Sequence, residues 1–61
     1  MKPTVKLVGQ DGNVFNLIGL ASRALKKAGQ PGAAKEFTDK AFASGSYDAV
    51  LQLIMEYCDV R

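Results

Sequence analysis

Cys58 is the single cysteine of this 61-residue sequence and its strongest nucleophile, so the search for chemistry begins there. A thiol acts as a catalyst when a base or cation beside it lowers its pKa. The sequence holds no histidine, which removes the commonest general base and the commonest zinc ligand together. Standing among Ile54, Tyr57 and Val60, Cys58 reads as a small buried apolar residue. Glu56 and Asp59, three positions apart, offer too few hard oxygen ligands for a cation. Gly9 and Gly12 precede a helix start and superficially resemble a phosphate-binding turn. No Gly-Lys-Ser/Thr ending follows them, the three glycines in fixed order of a dinucleotide fingerprint are missing, and Asp11 puts negative charge where a phosphate would sit. The sequence therefore predicts no catalytic residue, no metal ligand, no cofactor and no enzymatic activity.

Two surfaces remain that could bind without reacting. Arg23, Lys26, Lys27 and Lys35 form a basic group suited to phosphate contacts with nucleic acid. No ordered set of aromatic or Asn/Gln residues accompanies them, and positive charge near a helix C-terminus is favourable in its own right. The net charge is only +2, although Met1–Lys35 carries Lys2, Lys6, Arg23, Lys26, Lys27 and Lys35 against Asp11. Glu36, Asp39, Asp48, Glu56 and Asp59 outweigh Lys40 and Arg61 in the remainder, so folding can interleave the two halves and cancel most of the field. The second candidate surface is apolar: Leu20, Leu53 and Met55 exceed what one small core needs and suit a protein partner or a second copy.

The elements that must position these residues follow from periodicity. From Asn13 to Gly29, Val14, Leu17, Ile18, Ala21, Ala24, Leu25 and Ala28 recur at three- and four-residue steps and form one apolar arc at about 100° per residue. Asp11 or Asn13 can cap its start, Lys26 and Lys27 sit in its last turn, and Gly29 and Pro31 end it. Phe15 and Leu20 fall on opposite flanks of the arc. A second helix, about Gly32 to Ser44, shows a thin stripe of Ala34, Phe37, Thr38 and Ala41, with Phe42 at its margin and Gly45 as its C-terminal cap. Ser46 caps a third helix, Tyr47 to Tyr57, which is apolar over most of its surface and carries Asp48 in its first turn.

Thr4 to Val8 alternates and is rich in β-branched residues, so it reads as a strand. One strand cannot satisfy its backbone groups alone, and Cys58–Arg61 is the other alternating segment. The expected fold is a single small α+β domain over residues 1–61 in the order β-α-α-α-β, with strand orientation open. Val60 should face the helices and Asp59 should lie within reach of Lys6. The balance of 48% hydrophobic to 23% charged residues excludes a disordered chain, and Val5–Val8 is too short an apolar run for a secretory core or a membrane span. A soluble cytoplasmic protein with no membrane association is expected.

The segments VKLVGQDGNVFNLIGLASRALKKAG and SGSYDAVLQLIMEY cover most of the chain and resemble a group of short bacterial proteins also met in mobile elements and prophages. That group carries no assigned activity. The resemblance implies a compact stand-alone domain in a bacterial cytoplasm and transfers no functional residue. The resulting expectation is a non-catalytic interaction or accessory protein that binds another protein or itself, with nucleic-acid binding as the alternative.

Overall fold

The computed structural model describes residues 2–7 and 12–61. The expected order is observed: β1 (Thr4–Val5), α1 (Val14–Lys27), α2 (Pro31–Ala43), α3 (Tyr47–Tyr57) and β2 (Asp59–Val60). The end of the expected first strand at Val8 and the glycine turn through Asp11 lie outside the described residues.

Each helix boundary has a local cause. Asn13 caps α1, its side-chain oxygen accepting the Phe15 N–H at 2.8 Å. At the other end Gly29 takes a φ of +78°, and the N–H groups of Gly29 and Gln30 donate to Lys26 O and Leu25 O. That paired arrangement is a Schellman closure, which needs a residue tolerant of positive φ. The chain then re-enters helix one residue earlier than expected, because Pro31 has a helical φ fixed by its ring and no N–H to leave unpaired.

The α2 terminus differs from expectation. Gly45 does not take the left-handed conformation; Ser44 ends the helix in extended backbone and donates its hydroxyl to Ala41 O at 2.7 Å. The Ala41 carbonyl thus accepts from both the backbone N–H and the hydroxyl of Ser44, which closes the helix without a left-handed glycine. Ser46 opens α3 by accepting the Ala49 N–H, and Asp48 lies in the first turn as expected.

Between the helices Phe37, Leu25, Ile54 and Cys58 are fully buried, joined by Val5, Leu17, Ile18, Ala21, Ala34, Ala41 and Val50. The alanines let α1 and α2 approach closely around the Phe37 ring, which meets Tyr57 edge-on at 5.5 Å. The Lys40 ammonium covers the outer side of Tyr57 at 5.7 Å from its centroid.

The two strands are parallel, with Thr4 opposite Asp59 and Val5 opposite Val60. Asp59 N–H donates to Pro3 O, Arg61 N–H to Val5 O, and Leu7 N–H to Arg61 O, so the ladder extends past the formal strand ends. With the order β-α-α-α-β there are four connections between the two strands, and an even number of reversals over them is what a parallel pair requires. Val60 shares the pleat side of Val5 and Cys58 by the two-residue period. It is nonetheless 39% exposed, because the helical layer reaches Val5 and Cys58 and stops short of it. Asp59 stands opposite Thr4 and diagonal to Lys6, and the ion pairs among the described residues both lie within α2.

Candidate interaction surface

Three reversing helices put the start of α1, the end of α2 and the start of α3 at one end of the molecule. That end carries Phe15, Phe42 and Tyr47, respectively 65%, 58% and 46% exposed. The Phe15 and Phe42 rings bridge α1 and α2 with centroids 5.8 Å apart and planes tilted by 34°. Tyr47 reaches toward the loop ahead of α1, its hydroxyl oxygen 3.8 Å from where a Cβ on Gly12 would stand. The rings border an open groove of about 320 Å³ floored by Val14, Ile18, Ala41 and Val50 and closed by Ser44, Gly45 and Ser46. None of its ten lining residues is charged. Both serine hydroxyls are engaged with helix termini, Ser44 on Ala41 O and Ser46 under the Ala49 N–H. The groove therefore offers mainly apolar contact, with no charged side chain in its lining.

The apolar candidates from the sequence occupy different places. Leu20 and Leu53 are half-buried and pack against the core, while Met55 is 54% exposed. Leu53 and Met55 are two positions apart on α3, about 200° around the helix, and so lie on opposite flanks. They do not form a shared patch. The backbone carbonyl of Met55 accepts the Lys2 ammonium at 3.1 Å.

The basic candidates Arg23, Lys26, Lys27 and Lys35 are all exposed. Lys26 and Lys35 are brought to one shallow groove between α1 and α2, together with Ser22, Thr38 and Asp39. Lys35 is paired there with Asp39 at 3.2 Å, which offsets its charge locally. Arg23 and Lys27 sit one turn apart, while Lys26 stands about 100° round the helix from Lys27. The group is a ridge along the solvent side of α1, and no exposed ring flanks it. Phe15 stands eleven residues from Lys26, about 16 Å along the helix axis.

Buried Cys58 is held away from thiolate chemistry. Burial, and next the neighbouring Asp59 carboxylate, push its thiol above the ordinary range, against a smaller opposing effect of Lys2. No group of three or more His, Cys, Asp or Glu side chains among the described residues is placed to hold a metal ion, and no helix is long and apolar enough to cross a membrane.

Sequence reasoning missed the aromatic end because it weighed each helix separately. Phe15 and Phe42 each stood at the margin of a stripe, and the available signal was topological: alternating helices gather first, last and first turns at one pole. Compared with models of known protein families, with curated proteins and with solved structures, the chain gives no significant match in any of the three.

Proposed function

We propose that this chain is a small non-catalytic interaction module, an accessory protein of the bacterial and mobile-element kind that its sequence resembles, and that its contact surface is the aromatic groove. The observation that carries this reading is the exposure of Phe15, Phe42 and Tyr47 around a groove with no charged lining. Keeping such rings in water forgoes about 25 cal/mol for each Å² of apolar surface that contact would cover. Aromatic side chains gathered at an uncharged centre are the composition of an interface core. Binding through nucleic-acid phosphates would instead use Arg23, Lys26 and Lys27, with Lys35 already paired.

The test compares the wild-type chain with Phe42→Ser and with Arg23→Ala/Lys27→Ala. An interaction module holds a polypeptide, its own copy included, in a way that Phe42→Ser weakens and the double charge substitution leaves intact. A nucleic-acid binder behaves the other way, taking up duplex DNA with an affinity that falls steeply as salt rises. Salt-sensitive DNA binding that disappears with Arg23→Ala/Lys27→Ala, and no polypeptide contact that depends on Phe42, would overturn the proposal.

A further inference from the structure

We infer that the outer edge of β1 takes up one extended strand of a partner polypeptide whose side chains alternate between acidic and apolar. The ladder shows which groups are left over. In a parallel pair the amide and carbonyl of one residue point to the same side, and those of the next residue to the other. Pro3, Val5 and Leu7 turn toward β2: Pro3 O and Val5 O accept from Asp59 and Arg61, and Leu7 N–H donates to Arg61 O. Thr4 and Lys6 therefore turn their N–H and C=O groups outward, and neither makes a main-chain bond to another described residue. Both residues are exposed. Pro3, which lacks an N–H, faces β2 and so takes no donor from the open edge. Within its own span β2 turns only Val60 outward, which makes the β1 edge the longer of the two. A row of two donors and two acceptors is matched by an extended main chain, whereas a helix has already spent its own groups. The edge is separate from the aromatic groove, whose lining includes no residue of β1.

Charge selects the side chains of that strand. The register that sets Val5 against Val60 sets Lys6 against Arg61, side by side on the solvent face of the sheet. Like charges directly opposite each other destabilise a ladder. Both are exposed, and the ion pairs among the described residues, Lys35–Asp39 and Lys40–Glu36, include neither. Asp59, opposite Thr4, is the one acid of that face against Lys2, Lys6 and Arg61. A strand added beside β1 places every second side chain next to Thr4 and Lys6, where a carboxylate meets the Lys6 ammonium. Its other side chains lie on the helix-facing side beside Val5 and Leu7, and Leu7 is only half-buried, so an apolar neighbour there extends the core. A lysine on an edge deters uncharged and basic strands. For an acidic strand the same lysine is an attraction. With so few main-chain bonds the contact is weak and exchanging, with dissociation between about 10 μM and 1 mM.

The test titrates the full chain, followed by amide nuclear magnetic resonance, with an end-blocked peptide of alternating Glu and Val up to about 1 mM. Two control peptides accompany it: alternating Lys and Val, and the same Glu and Val residues arranged in two blocks. The alternating Glu/Val peptide is expected to give saturable shifts centred on Thr4–Leu7 and to slow exchange of the Thr4 and Lys6 amides severalfold. Neither control should do so. Lys6→Glu should weaken the Glu/Val peptide about tenfold and admit the Lys/Val peptide in its place, with far-UV circular dichroism unchanged. The three peptides on the wild type decide the matter even if that variant fails to fold. Absence of saturable shifts at about 1 mM overturns the inference. So does equal binding of either control, or binding that leaves exchange at Thr4 and Lys6 untouched, which would be charge contact without a strand. Protection of those two amides by the chain's own concentration, with no peptide present, overturns it in favour of a second copy. None of these outcomes bears on a contact that depends on Phe42.

Discussion

At the scale of single residues, stability rests on a few side chains whose burial is complete. Leu17 and Ile54 face each other's layer at 3% and 0% exposure, so truncating either to Ala removes buried methyl groups and leaves a cavity. Each substitution should cost about 2–5 kcal/mol, a large share of the stability of so small a domain. Leu20 is half-buried, and Leu20→Ala should cost clearly less in urea or thermal melts. A ranking that placed Leu20→Ala above the other two would mean that α1 is rotated. Cys58 gives a pH prediction. In the unfolded chain its thiol ionises at the ordinary value, whereas in the fold burial holds the proton to higher pH. Its stabilising contribution is thus complete below the unfolded pKa and is lost as pH climbs from there through the folded value. Melts between about pH 7 and 10 should show an alkaline decline that is shallower in Cys58→Ala. Equal slopes in the two proteins would exclude the thiol as a contributor. Much of this scale was legible in the sequence: the three- and four-residue spacing of Leu17, Ile18, Ala21 and Leu25 marks the core face of α1 without a neighbour. The exposure of Phe15 and Phe42 was not, since an aromatic at a stripe's margin is buried or bare according to what packs beside it.

At the scale of elements, local chemistry at the termini sets where each helix starts and stops. Asn13 and Ser46 each satisfy a backbone N–H that would otherwise be unpaired, and Asn13→Ala or Ser46→Ala should cost about 0.5–2 kcal/mol. Sequence placed Ser46 outright and left the α1 cap between Asp11 and Asn13, because Ser, Asp and Asn before an amphipathic run share one favoured role. It misplaced the end of α2, where Ser44 and Gly45 are both plausible stops and the hydroxyl bond to Ala41 O decided between them. The sheet is the weaker element. Its ladder alternates, so Leu7, Asp59 and Arg61 donate across it, whereas the Lys6 amide points to the open edge. Amide exchange should find Leu7, Asp59 and Arg61 slowed and Lys6 fast, and removal of Cys58–Arg61 should destabilise the whole domain. Uniformly fast exchange at Leu7, Asp59 and Arg61 would mean that the ladder does not persist in solution. Strand direction was left open because propensity carries no orientation; the path of the three intervening helices sets it, and the pair is parallel.

At the scale of the whole molecule, the chain brings together what no local pattern announces. Residues 15, 42 and 47 are distant in sequence, yet alternating helices deliver all three rings to one pole and leave the cationic ridge of Arg23, Lys26 and Lys27 along another face. Separation of an uncharged aromatic end from a basic side makes the two kinds of contact experimentally distinguishable. The most direct test of the aromatic end as the contact surface is to map amide nuclear magnetic resonance shifts of the chain on contact with an apolar polypeptide or with a second copy at up to about 1 mM. The account predicts shifts confined to Val14–Ile18 and Ala41–Val50, absent in Phe42→Ser. Shifts centred instead on Arg23–Lys27 or on Asp59–Arg61 would contradict it.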